Sequence, residues 1–199
     1  MFLIIAYTDV IMLGIMTNKH FVGIYDQAFK LAMLANFIRI SVNSIAAPKF
    51  AELFHSDKIH ELENVARKTS KLLSIATLPV AVGLIVFGYH ILGAFYGEEF
   101  TAGYDALILL VAGQLLSAMV GPVGHLLNMC GREKQCRNIL IAGAIINFAL
   151  NLVLIPIWGI TGAAVANMVA VIFNNLCFLF YVKKSFGIFV MYVPFLPKK

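Results

Sequence analysis

Arg39 stands inside ANFIRISVNSIAAPKF (residues 35–50), a run that otherwise suits hydrocarbon. A charged side chain at the centre of a membrane helix costs about 2.5–3.5 kcal/mol on insertion scales. Lys30 lies nine residues before it and Lys49 ten after. At the helical rise each is roughly 14 Å away along the axis. The two lysines can snorkel to opposite interfaces, which leaves Arg39 near the midplane. Something must offset its cost. Asn36 and Asn43 share its helical face. Asp9, inside the preceding apolar run and at a similar depth, offers a structural ion pair. A guanidinium also presents a planar fork that matches phosphate oxygens, so a phosphate-binding cavity is the second use for it. Both uses stand open on the sequence.

Other polar residues recur at helical spacing on apolar bodies. Gln114, Ser117, Gly121, His125 and Asn128 form one stripe, Asn147 and Asn151 another, and Ala163, Asn167, Ala170, Asn174, Cys177 and Tyr181 a third. Small and amide residues glue helices together in lipid, and Gly113, Ser117 and Gly121 fit that use. Stripes on four helices, with a mid-span arginine, point instead to a shared polar cavity. Its candidate substrate-binding residues are Arg39, Asn36, Asn43, Asp9, Gln114, His125, Asn147 and Asn151. His125 is open to two readings, a proton relay or a structural hydrogen bond. His55 and His60 are five residues apart and lack a third ligand, so no metal site is expected. No cofactor is expected either, and no catalytic residue: GxSxG, P-loop, GxGxxG and HExxH patterns do not occur.

The elements that position these residues are long and apolar. Of 199 residues 61% are hydrophobic and 13% charged, and the mean hydropathy is +0.89. Soluble domains hold about 25% charged residues, so a multi-pass membrane protein is implied. Six apolar segments can be marked, at 1–16, 26–54, 72–96, 106–130, 138–158 and 160–182. All but the first are long enough to span. They are continuously apolar rather than alternating, which argues against a barrel. The expected fold is an all-α bundle of about six transmembrane helices over 1–184, with a tail at 185–199. A short amphipathic helix at about 57–70, capped by Ser56 or Asp57, is expected to run into the third span. No basic n-region precedes the first segment, so an ordinary secreted protein is not expected.

The connections alternate in charge. Lys58, Arg67, Lys68 and Lys71, then Arg132, Lys134 and Arg137, then Lys183 and Lys184 lie on one side, against Lys19 alone on the other. Nine basic residues against one place the first side in the cytoplasm. The net charge of +5 comes from these connections, and no basic stripe with interleaved aromatics suggests nucleic acid. Cys130, Cys136 and Cys177 have no paired spacing. Pro79 and Pro122 fall within spans and are expected to kink them.

The blocks TDVIMLGIM (8–16), VGIYDQAFKL (22–31), AAPKFAELF (46–54), PVGHLLNMCGREK (122–134) and NFALNLVLIPIWGITGAAVAN (147–167) occur in this order. Together they resemble the polysaccharide and O-antigen flippases of the multidrug/oligosaccharidyl-lipid/polysaccharide exporter superfamily. The likeness extends over about residues 5–188 and is most specific at 131–134 and 154–164. It implies a non-enzymatic membrane transporter that moves polyprenyl-pyrophosphate-linked oligosaccharide across the cytoplasmic membrane by alternating access. Such flippases have twelve to fourteen helices, and this chain resembles the second bundle of a MATE-like pair. A partner bundle, or self-association, is therefore expected, and the tail resembles a further helix cut short. Two alternatives are a drug/cation antiporter of the same superfamily and a membrane enzyme of polysaccharide assembly. The antiporter would favour an acidic cavity. The enzyme would need a sizeable exterior loop, whereas the exterior connections here are short.

Overall fold

The computed structural model describes residues 7–191, all helices and short turns. The helices are α1 (Thr8–Met16), α2 (Lys19–His55), α3 (Ile59–Tyr96), a 3-10 turn (Glu98–Gly103), α4 (Tyr104–Val120), α5 (Val123–Met129) and α6 (Glu133–Phe186). Four helical stretches among the described residues are long and apolar enough to cross a membrane. One of these is α6, whose 54 residues form two arms, 133–158 and 160–186, joined at a break. The chain is thus a multi-pass all-α bundle. The first six residues of the first apolar segment, and residues 192–199 of the tail, lie outside the described residues.

The breaks sit where the sequence removes helical options. Gly159 has φ 56° and ψ −129°, a conformation closed to side chains with a Cβ. It turns α6 back on itself within a single residue, where the sequence suggests a loop over 157–161. Exposed Trp158 beside it suits an interfacial depth. The apolar segment 106–130 is likewise not one helix. Gly121 takes φ 92° at the end of α4, and Pro122, which lacks an N–H, then precedes α5. Pro48, Pro79 and Pro156 all lie inside helices.

At its other boundary the charged segment 57–70 is simply the first third of α3. The expected cap is absent: Lys58 occupies the cap position without a side-chain bond, and Asp57 adopts φ 54° in the preceding turn. The Glu63–Arg67 pair does form, at 2.6 Å. It also holds the chain after α6, since Arg67 Nε donates to the Phe189 carbonyl at 2.8 Å.

Buried apolar side chains gather in two clusters. One, on the end away from the basic residues, includes Leu13, Ile24, Tyr25, Leu92, Leu107, Ile155 and Ile160. The other, at the basic end, includes Phe50, Leu62, Leu126, Leu127, Ile139, Phe178 and Val182. Between them α3 carries Thr69, Ser70, Ser74 and Thr77, all buried, and α2, α4 and α6 add Asn43, Ser117, Asn147 and Asn151. Two dry cores therefore enclose a polar layer at mid-depth.

Candidate functional site

Arg39 is half-buried in this layer. Its Nε and Nη2 donate to Asn36 Oδ1, one turn back on α2, at 3.0 and 2.6 Å. Its Nη1 donates to Ser117 Oγ on α4 at 2.5 Å. Ser117 Oγ in turn donates to Asn175 Oδ1 on the second arm of α6 at 3.3 Å. A guanidinium has five N–H donors. Three are engaged, which leaves one donor on each terminal nitrogen.

A cavity of about 300 Å³ opens beside this fork. Asn36, Arg39 and Asn43 line it from α2, His125 and Asn128 from α5, and Asn175 and Phe178 from α6. None of its lining residues is a carboxylate. The Gly121–Pro122 break contributes wall as well, because α5 sets off there in a new direction. Asn43 is 2% exposed, and its Oδ1 has no hydrogen-bond partner among the described residues. The site offers amides, an imidazole and a clamped guanidinium, groups that can bind an anion.

Asp9 lies elsewhere. It is 2% exposed and collects four donors: Tyr25 Oη at 3.1 Å, Asn147 Nδ2 at 2.8 Å, Asn151 Nδ2 at 2.6 Å and Asn167 Nδ2 at 2.7 Å. These come from α2 and from both arms of α6. Four donors suit a carboxylate, which only accepts. The expected Asp9–Arg39 ion pair is therefore corrected: each group is satisfied by neutral partners, and Asp9, Asn147 and Asn151 take no part in the cavity wall. Gln114 is not on that wall either, and its buried Oε1 has no partner among the described residues. Of the eight candidate residues the structure thus brings Asn36, Arg39, Asn43 and His125 together around one space.

Sequence reasoning missed three contributors. Tyr25 falls just outside the segment marked at 26–54, because Lys19, His20 and Asp26 hide the seven-residue extension of α2. Asn175 sits beside Asn174 but about 100° round the helix, off the stripe that Asn174 defines. Ser117 is on its stripe yet reads as small-residue glue. The signal that could have found Asn175 is the NN pair itself, which puts an amide on two faces of one helix.

Residues 1–104 match the family described as "Polysaccharide biosynthesis protein". A Haloferax volcanii protein named "Probable low-salt glycan biosynthesis flippase" is 24% identical over 187 residues, covering 94% of this chain and 40% of that protein. A second protein from the same organism, named "Probable flippase", is 24% identical over 174 residues, covering 86% and 36%. A MOP superfamily transporter from Pyrococcus furiosus has the same fold, with a TM-score of 0.75 at 17% identity, over 98% of this chain and 44% of that one. The chain thus spans about 40% of the length of the first of these relatives.

Proposed function

Because this chain belongs to the polysaccharide biosynthesis protein family, we propose that it forms one helical half of a flippase. The flippase carries lipid-linked oligosaccharide from the cytoplasmic to the outer leaflet by alternating access. The observation that carries this reading is Arg39: a mid-membrane cation clamped by neutral groups, with two donors left towards a cavity that has no acidic residue on its wall. Such a site suits the phosphate that joins the lipid to its sugar. No bond is made or broken, so the protein is a transporter and not an enzyme. A cation antiporter fits less well, since the carboxylate it would need at the cavity is absent from the wall. The second bundle comes from a longer chain, a partner or another copy, and closes the open side of the cavity. The basic end faces the cytoplasm.

The test is export in cells deleted for the gene and supplied with variants. Wild type clears cytoplasmic-face lipid-linked oligosaccharide. Arg39→Ala is expected to reach the membrane and to leave it accumulated at least tenfold. Arg39→Lys is expected to restore part of the flux, since a point charge replaces the fork. Export at the wild-type rate by a stable Arg39→Ala protein would sink the reading.

A further inference from the structure

His125 is exposed to the same cavity as Arg39. It has no hydrogen-bond partner among the described residues, so the structural bond that the sequence allows is not made. We propose that His125 is a second, proton-switched anion contact that makes the cavity prefer a diphosphate-linked ligand over a monophosphate-linked one.

This rests on the flippase reading and names the charge of the ligand. A diester of diphosphate carries two negative charges near neutral pH, a phosphodiester one, and neither titrates there. Arg39 alone balances one charge. An imidazole that takes up a proton adds a second charge. The charged and titratable surroundings of His125 are few. From α2 the cavity receives Arg39 alone, while Lys49 and Glu52 pair with each other at 2.6 Å on that helix. From α6 the cavity receives Leu140, Asn175 and Phe178, none of which titrates. The Cys136 thiol on α6 touches the Gly124 carbonyl beside His125. A thiol in apolar surroundings stays protonated through the imidazole range. No carboxylate on the cavity wall competes for the imidazolium.

Binding of a two-charge ligand must then take up a proton. The sign follows from linkage. The ligand raises the imidazole pKa, so affinity is highest below the free value and falls as pH rises through it, by at most about tenfold per pH unit.

The experiment uses the protein in lipid nanodiscs and two probes, a short-chain prenyl diphosphate sugar and its prenyl monophosphate counterpart. Binding is measured from pH 5.5 to 8. The diphosphate probe is expected to bind at least fivefold tighter at pH 5.5 than at pH 8, and the monophosphate probe to change less than twofold. His125→Gln is expected to flatten the diphosphate profile at its pH 8 level, and His125→Arg to flatten it at the pH 5.5 level. A wild-type profile without slope, or a slope that survives in His125→Gln, overturns this inference while the flippase reading stands. Absence of binding by wild type at every pH overturns both.

Discussion

At the residue scale, Asp9 and Arg39 each find hydrogen-bond partners without the other. That makes their substitutions independent. Asp9→Ala removes the acceptor of four donors from α2 and α6. Side-chain hydrogen bonds in bilayers average about 0.6 kcal/mol each, so a loss of roughly 2–3 kcal/mol is expected. It should appear as a lower thermal midpoint of the purified protein. Adding Arg39→Ala is expected to recover none of that loss, because no ion pair joins them. A double variant as stable as wild type would mean that the two charges do meet. The pair that the sequence offers assumes one depth, but Asp9 bonds Tyr25, roughly 21 Å before Arg39 along α2, and only packing decides how deep α1 sits against its neighbours.

At the element scale, the site depends on two glycine breaks. A methyl group at Gly121 would overlap Ser70 on α3, in addition to the strain of φ 92°. Strain of this kind costs on the order of 1–3 kcal/mol. Gly121→Ala is therefore expected to lower the midpoint of thermal unfolding and to weaken anion binding, because α5 carries His125 into the cavity. Gly23→Ala, on α2 with open space around it, is the control and is expected to be neutral or slightly stabilising. Ser70→Gly added to Gly121→Ala relieves the overlap but not the backbone, so only part of the loss should return. Periodicity and hydropathy make the long apolar helices legible, since they report which residues avoid water. They also divide the spans at Gly159, and Pro122 signals a kink, but they do not report that Gly121 ends α4 outright, where the neighbours remain apolar and a single backbone conformation changes the direction of the chain. His125 and Asn128 of α5 are legible from their stripe, whereas the break that separates them from Gln114 is not.

For the whole molecule, the two apolar clusters enclose the polar layer and its candidate cavity, and the basic residues mark one end. If that end is cytoplasmic, a cysteine placed at Asp57 is shielded from an impermeant thiol reagent in intact cells, and one placed at Glu99 is labelled. Both belong in a background without Cys130, Cys136 and Cys177. The opposite labelling pattern would reverse the orientation. Charge asymmetry makes such an end visible in the sequence because it acts through nine separate side chains, each exposed at that end rather than in the core. The side of the bundle that would meet the proposed second half is not visible in this way. Lipid-facing and partner-facing residues are both apolar, and their difference lies in shape.

The Asp9 cage also sets a schedule. Its amide partners lie 138, 142 and 158 residues further along the chain. At ribosomal speeds of about 5–20 residues per second, the first of them is made roughly 7–28 s after Asp9. Until then the nascent carboxylate has Tyr25 as its near-sequence donor. The first helix must therefore wait beside the insertion machinery, and the hairpin folded at Gly159 completes its berth by bringing all three asparagines at almost the same moment.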